Sequence, residues 1–248
     1  MTRTYSNLVD RSIQALLDTI ADKQTSLALY QDTMTKLGTL LGSAVLSQIS
    51  QETAFLSPCV GKQVSGDTQG NVYLACTVED ADFLAKGMLI PLEKHLPKVA
   101  FACFWNHRFS PFEIEDLKVA PIIKKYQEPV NQTVNYLIIV KSIISGACVV
   151  KTNIADLIQT IEPGKIFIVA PVMYFQAEEK LKSNFDQSIY DKFQFFYFAK
   201  DDERTLEGEV IPGVGGNVYT RLGFEGQESK NQFIPEIVKS RRRKLTKV

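Results

Sequence analysis

The chain has 248 residues, of which 45% are hydrophobic and 23% are charged, the composition of an ordinary globular protein with room for one large α/β domain or two small ones. Its 28 Lys and Arg residues balance its 28 Asp and Glu residues, so no overall field draws the molecule to nucleic acid or to a membrane surface. No apolar run reaches the roughly 18 residues that a bilayer requires. The first residues lack the apolar core of a signal peptide, so we expect a cytoplasmic protein.

The four cysteines are far apart and form no C-x-x-C pair, at positions Cys59, Cys76, Cys103 and Cys148. Three of them lie in apolar runs. This placement favours buried thiols in a reducing compartment over a disulfide framework or a zinc site. We therefore predict no structural metal site.

The N-terminal part of the chain predicts two helices. Apolar residues recur at helical spacing over 8–20 and again over 29–45, and the polar stretch 22–26 separates the two and supplies a helix cap. We expect residues 1–50 to form an N-terminal helical arm.

After a polar, glycine-containing stretch at 61–71, which predicts a hairpin or a mobile loop, short β-type runs alternate with segments long enough for helices. The predicted strands are 72–76, 99–105, 136–140, 166–170 and 195–198, and the predicted helices are 80–95, 147–161 and 176–184. This alternation indicates an α/β fold with a central, mostly parallel sheet flanked by helices. The strands should end along one rim, where ligands bind in such folds.

The simplest division of the chain is a single domain over 1–224 and a polar, basic tail over 225–248. The tail contains the run KSRRRK at 239–244. Because the rest of the chain carries no excess charge, we expect this tail to be solvated, although the run also suits an acidic protein, an RNA or an acidic lipid. Nucleic acid and membrane are not expected as partners of the chain as a whole.

A run of small residues follows the predicted strand 136–140 and opens a predicted helix: Ser145, Gly146, Ala147 and Cys148. Such a turn lets successive backbone N–H groups converge at a helix N-terminus, which suits a phosphate. Small residues at a strand–helix turn also serve tight packing alone. The loop by itself therefore leaves both interpretations open.

Residues 137–148 resemble the phosphoribosyl-diphosphate loop of type I phosphoribosyltransferases, which consists of four apolar residues, two mostly acidic positions and a small-residue turn. Further stretches resemble the uracil phosphoribosyltransferases of that class, in the same order along the chain. They are 22–41 (D-K-x-T-S, then L-x-x-L-L), 83–91 (a helix ending in I-P), 162–170 (the strand after the loop helix) and 210–223 (a V-I-P-G-x-G loop, then Arg and Gly). The resemblance covers about residues 8–224.

The resemblance implies a type I phosphoribosyltransferase fold and roles for three groups of residues. Phosphate and ribose would contact Lys141, Ser142, Ser145, Gly146, Ala147 and Cys148. A nucleobase would lie against Ile211, Gly213, Gly215 and Gly216, and the rim of the site would carry His107, Arg108 and Arg221. An active member would use Mg²⁺, and related uracil enzymes associate through N-terminal arms, which implies a homodimer or a higher oligomer.

The chain departs from the family pattern at the positions that carry the chemistry. Lys141 and Ser142 stand at the pair whose carboxylates accept the ribose hydroxyls, and a lysine cannot accept such bonds. Glu79 and Asp80 stand where a cation is expected beside the diphosphate, which would repel that anion if nothing compensated them. The acidic positions of the C-terminal loop are also lost. We therefore expect ordinary uracil phosphoribosyl transfer to be impaired or absent.

Three functions are consistent with these residues. The first is a catalytically degenerate member that binds a phosphorylated small molecule or nucleotide, or that acts as a regulatory or assembly subunit of a protein partner. The second is an active phosphoribosyltransferase with an altered acceptor base. The third is an interaction protein that uses its basic tail. For His107 and Cys148 we favour structural roles over a general acid or base and a nucleophile.

Overall fold

A mixed β-sheet of eight strands lies at the centre of the protein. The computed structural model describes residues 2–56, 71–111, 118–130, 133–205 and 208–245, with the backbone alone at 54–56. The strands are β1 (Arg3–Tyr5), β2 (Val72–Thr77), β3 (Val99–Asn106), β4 (Ile122–Gln127), β5 (Tyr136–Val140), β6 (Ile143–Ile144), β7 (Lys165–Tyr174) and β8 (Phe193–Asp201). Their order is β1-β8-β7-β5-β2-β3-β4, with β6 paired to β7. The five strands from β8 to β3 in this order are parallel, and β1 and β4 are antiparallel at the edges.

Helices cover both faces of this sheet. They are α1 (Arg11–Ala21), α2 (Leu27–Leu56), α3 (Lys86–His95), α4 (Cys148–Leu157), α5 (Ala177–Lys182), α6 (Gln187–Tyr190), α7 (Val218–Arg221), α8 (Gln227–Gln232) and α9 (Glu236–Leu245). Alternate residues of the strands belong to two different apolar cores, one on each face of the sheet. The predicted fold class, α/β with a central, mostly parallel sheet flanked by helices, is confirmed.

All five predicted strands are present as β2, β3, β5, β7 and β8. Every residue of β2, β3 and β5 is buried, because a parallel sheet covered on both faces requires continuous apolar runs. The predicted helix 80–95 differs at its start. A 3₁₀ turn (Val78–Asp80) and a π-helical turn (Ala81–Ala85) come between β2 and α3. A separate small ribbon is formed by β9 (Glu203–Arg204) and β10 (Val210–Ile211).

The two predicted N-terminal helices, α1 and α2, are present and form part of the core. Asp10 caps α1 by accepting a hydrogen bond from the Ile13 amide at 2.8 Å. Along α2, the side chains of Tyr30, Met34 and Leu37 are fully buried. The helical arm of this chain is therefore a covering layer of the domain.

The prediction of a solvated basic tail is wrong for residues 227–241, which pack against the domain, whereas residues 242–245 are exposed as predicted. The Nη1 of Arg241 donates to both carboxylate oxygens of Glu128, at 3.1 and 3.0 Å. The carboxylate of Asp82 accepts from the first amides of α9, and Trp105 Nε1 donates to the carbonyl of Phe233 at 2.8 Å. The tail packs because acids and a tryptophan of the domain satisfy its polar groups.

Cys76 and Cys103 are buried free thiols on neighbouring strands, as predicted, and burial raises the pKa of Cys76. Cys148 is half-buried. Cys59 and the predicted hairpin or loop at 61–71 lie outside the described residues, apart from Asn71. Among the residues that the structure describes, no helix has both the length and the apolar character needed to cross a membrane.

Candidate anion-binding site

The topology places the ends of β2 and β5 at a switch point of the sheet. The chain leaves β2 for β3 on one side, whereas β5 lies on the other side of β2. In open α/β sheets, ligands bind in the crevice outside the carboxyl ends of the strands at such a point. Glu79 and Asp80 follow β2, and Lys141 and Ser142 follow β5. These four residues, at which the sequence differs from the phosphoribosyltransferase pattern, therefore lie together at the switch point.

Lys141 forms a buried ion cluster with Glu79 and Asp80. Its Nζ lies 2.8 Å from Asp80 Oδ2 and 3.0 Å from Glu79 Oε1. Lys230 of α8 approaches from the other side, with its Nζ 4.0 Å from Glu79 Oε2. Each of the four side chains is at most 3% exposed. Lys141, Glu79 and Asp80 are residues at which the sequence differs from the phosphoribosyltransferase pattern. In the structure, the positive charge of Lys141 offsets the negative charge of the two acids.

The cluster keeps its charges despite burial. Burial alone would raise the pKa of Glu79, but Lys141, Lys230 and Arg108 outweigh it and lower that pKa from 4.5 to about 2. Burial likewise acts to lower the pKa of Lys141, and the two carboxylates raise it above its usual value instead. For Lys230, burial prevails and lowers the pKa. Lys141 and Lys230 balance the carboxylates of Glu79 and Asp80, so the four side chains of the cluster have no net charge, and Arg108 nearby adds one unbalanced positive charge.

The predicted phosphate loop precedes α4 and has an open geometry. Ala147 is in the left-handed region, with φ 62°, directly before the helix. A Cβ added at Gly146 would meet no atom within 4 Å. Ser145 Oγ donates to the carbonyl of Gly208 at 3.0 Å, which fixes the loop to the β9–β10 ribbon. The first amides of α4 have no intrahelical acceptor, so the loop presents free N–H donors at the N-terminus of a helix of 10 residues.

A small cleft of about 60 Å³ opens at this loop, and a larger one of about 200 Å³ adjoins it. Arg108, Ile143 and Ser145 line both clefts. The first is completed by Lys141, Ile144 and the residues from Gly146 to Val150, and the second by Gly208, Glu209, Val210 and the residues from Gly216 to Tyr219.

Arg108 brings a positive charge to the mouth of the cleft. Its guanidinium carbon lies 5.4 Å from the centroid of the Tyr219 ring, and Lys230 Nζ lies 4.8 Å from the same centroid. The ring therefore attracts two cations at once. Lys141 reaches the floor of the cleft, but its ammonium group points into the acids, and Ser142 is fully buried. In this structure Arg108 is thus the cation that a ligand in the cleft would meet first.

The other predicted rim residues lie elsewhere. Arg221 donates from Nη1 and Nη2 to carbonyls of the α1–α2 turn, at Asp22, Lys23 and Thr25. Arg221 thus lies against that turn and not among the residues that line the two clefts, and its buried Nε has no hydrogen-bond partner among the described residues. His107 is half-exposed beside α8, with its Nδ1 3.8 Å from Glu228 Oε1.

The glycines of the predicted nucleobase loop have two different roles. A Cβ at Gly213 would lie 2.3 Å from the carbonyl oxygen of Val210, and one at Gly215 would lie 2.5 Å from that of Ile20. These two residues are buried, so their backbone serves packing and not ligand contact. Gly216 has open space around it and lines the second cleft. Ile211 pairs with Glu203 in the ribbon.

Magnesium does not fit the residues at this switch point. Glu79 Oε2 and Asp80 Oδ1 accept no hydrogen bond within the described residues. Magnesium requires several oxygen ligands in octahedral geometry, but the ammonium of Lys141 already binds the other oxygen of each acid, and two further cations lie close by. Among the side chains that the structure describes, no group of three His, Cys, Asp or Glu residues could hold a metal ion.

Comparisons with known proteins identify the fold and no family. No known family profile and no curated protein sequence matches the chain. Among solved structures, the AQ2163 protein from Aquifex aeolicus aligns with a TM-score of 0.64 at 15% identity, over 90% of this chain and 99% of that chain. Adenine phosphoribosyltransferase from Leishmania donovani aligns more loosely, with a TM-score of 0.37 at 15% identity, over 65% of this chain and 68% of that one. Hypoxanthine phosphoribosyltransferase from Trypanosoma cruzi, complexed with the product IMP, has a TM-score of 0.37 at 10% identity, over 67% of this chain and 74% of that one. The Aquifex match shows that this α/β fold is shared along nearly the whole chain.

Proposed function

We propose that the chain is a divergent relative of the uracil phosphoribosyltransferases that binds a phosphorylated small molecule or nucleotide without transferring ribose 5-phosphate. One observation carries the proposal: Arg108 lines the same cleft as the first residues of α4, whose amides have no acceptor within the helix. Backbone donors at a helix N-terminus and a guanidinium are the usual protein partners of a phosphate. The ion cluster below them has no net charge, so an anion in the cleft would balance the positive charge of Arg108.

The second cleft suits the organic part of such a ligand. Ile143, Val210, Val218 and the Tyr219 ring give it apolar walls, and Asn217 and Gly216 add polar backbone and amide groups. A phosphate held by the loop would direct its substituent into this space. The proposed ligand is therefore a phosphomonoester with a partly apolar substituent.

The loss of transfer chemistry is supported by the ion cluster. The acids at the switch point are committed to Lys141, and they have no room for magnesium. We expect the purified protein to release no diphosphate from uracil, Mg²⁺ and phosphoribosyl diphosphate, measured by a coupled diphosphate assay. Steady turnover in that assay would favour the second function, an active enzyme with an altered site.

Replacing Arg108 should weaken ligand binding strongly. Arg108→Gln removes a charge-assisted contact to the phosphate, so the Kd for ribose 5-phosphate should rise about 10- to 100-fold, as measured by calorimetry. Arg11→Gln is the matched control, because Arg11 is exposed on α1 and lines neither cleft. Ribose without the phosphate should not bind to either variant. Equal affinity of the parent chain for ribose and ribose 5-phosphate would overturn the proposal.

The third function, interaction through the basic run, has less support. Arg241 of that run binds Glu128 and lies 5.0 Å from the centroid of the Phe101 ring, so it belongs to the domain. A cytoplasmic location and a homodimer or higher oligomer stay predictions. Light scattering of the purified chain measures the second of these directly.

A further inference from the structure

One face of α8 contacts the C-terminal end of β3 and the residues that follow it, which include Arg108. Gln227, Lys230 and Asn231 are spaced i, i+3 and i+4, and such residues share one face of a helix. They contact three consecutive residues at the end of β3, namely Asn106, which ends the strand, and His107 and Arg108, which follow it. Lys230 Nζ donates to the Asn106 carbonyl at 2.7 Å, and Asn231 Nδ2 lies 3.5 Å from His107 Nδ1.

Gln227 binds both backbone groups of Arg108. Its Oε1 accepts from the Arg108 amide, and its Nε2 donates to the Arg108 carbonyl at 3.0 Å. One side-chain amide thus takes the place of a neighbouring β-strand at this residue. This pairing restrains the backbone of Arg108 and, with it, the direction in which the guanidinium leaves the chain.

The position of α8 is itself determined by the domain. The carbonyl of Phe233, directly after α8, accepts from the indole of Trp105 on β3. Lys230 is 1% exposed and contacts the Tyr219 ring, over which Arg108 also lies. Arg108 is therefore held by α8 through its backbone and through the ring that it shares with Lys230.

We propose that Gln227 is a positioning residue of the anion site, which holds Arg108 over the cleft so that its guanidinium is preorganised for the phosphate. This role rests on the proposed function. It gives the C-terminal segment a part in ligand binding, although that segment lines neither cleft. Preorganisation raises affinity because the ligand need not order the side chain when it binds.

The test compares Gln227→Met with Gln232→Met, the same change at an exposed position of the same helix. Methionine keeps the length of glutamine, adds no charge and removes both hydrogen bonds. We expect the Kd for ribose 5-phosphate to rise about 5- to 10-fold in Gln227→Met and to stay at the parent value in Gln232→Met. Amide hydrogen exchange without ligand, followed by NMR, should become faster at Arg108 in Gln227→Met alone.

The outcomes separate the two proposals. If the parent chain does not bind ribose 5-phosphate, the proposed function fails, and the role of Gln227 fails with it. If the parent binds and Gln227→Met binds equally well, only the role of Gln227 is overturned. Unchanged exchange at Arg108 in Gln227→Met would also overturn it, because the amide would then have a different acceptor. An equal loss of affinity in both variants would assign the effect to helix stability.

Discussion

The Lys141→Met variant is expected to lose about 3–5 kcal/mol of unfolding free energy, because removing one partner of a buried ion pair leaves an uncompensated charge. Methionine matches the lysine side chain in length, so packing changes little. Glu79 and Asp80, at most 2% exposed, would lose the ammonium group that lies within 3.0 Å of both. Lys230 cannot replace it, because its Nζ is 4.0 Å from Glu79 and donates to a backbone carbonyl. Urea denaturation at pH 7 measures the loss.

The control is Lys125→Met, which removes the same side chain from a surface ion pair with Asp156. Exposed pairs contribute about 0–1 kcal/mol, so this variant should stay close to the parent. Equal losses in the two variants would contradict the buried cluster. The variant Lys141→Met/Asp80→Asn should recover part of the stability that Lys141→Met loses, because it removes one charge of each sign and leaves Glu79 facing Lys230.

The same cluster sets a pH dependence with a definite sign. The pKa of Glu79 is lowered from 4.5 to about 2 in the folded protein. Its contribution to stability is therefore present above pH 4.5 and is lost as the pH falls towards 2. In Lys141→Met this contribution is already missing. The stability difference between the parent and the variant should shrink over that pH range.

The fold could be predicted because its signals are local and repeated. Strands such as β2 and β5 are continuous apolar runs, and a sheet buried on both faces demands such runs. The turn before α4 could also be found, since Ser145 and Gly146 directly follow a strand. Element boundaries depend on pairing between distant segments: β7 continues past residue 170 to Tyr174, where it pairs with β8.

The charges of the site could not be assigned from the sequence because their partners are distant in the chain. Lys141 and Asp80 are 61 residues apart, so the sequence shows two unfavourable substitutions where the structure shows one ion cluster. Lys230 and Gln227 belong to a polar segment whose composition suggests a solvated tail. No pattern in the neighbouring sequence predicts that Lys230 is buried. Its partners are the Asn106 carbonyl, the Tyr219 ring and the Glu79 carboxylate, which belong to other elements.

Gly38→Ala is expected to destabilise the protein by about 3 kcal/mol, even though alanine is the better helix former by about 1 kcal/mol. A Cβ at Gly38 of α2 would lie 2.1 Å from the carbonyl oxygen of Leu84, and one at Gly87 would lie 2.1 Å from that of Thr35. In both places the added Cβ would collide with backbone atoms. A backbone cannot rotate aside as a side chain can, so the two segments must move apart. Leu84 belongs to the π-helical turn directly after Asp80, so the shift also disturbs the end of β2.

The sign of the change in unfolding free energy in Gly38→Ala distinguishes the effect of the close backbone contact with Leu84 from the effect of helix propensity. Gly146→Ala is the matched control: a Cβ there meets nothing within 4 Å, so the free energy of unfolding should change by less than about 0.5 kcal/mol. If α2 were held only by its apolar face, Gly38→Ala would stabilise the chain, and thermal unfolding would shift upwards. A downward shift at Gly38 with none at Gly146 requires the backbone contact with Leu84. Since Leu84 lies in the turn that directly follows the acids that bind Lys141, the packing of α2 and the charge cluster should then weaken together, and Gly38→Ala should also raise the Kd for ribose 5-phosphate.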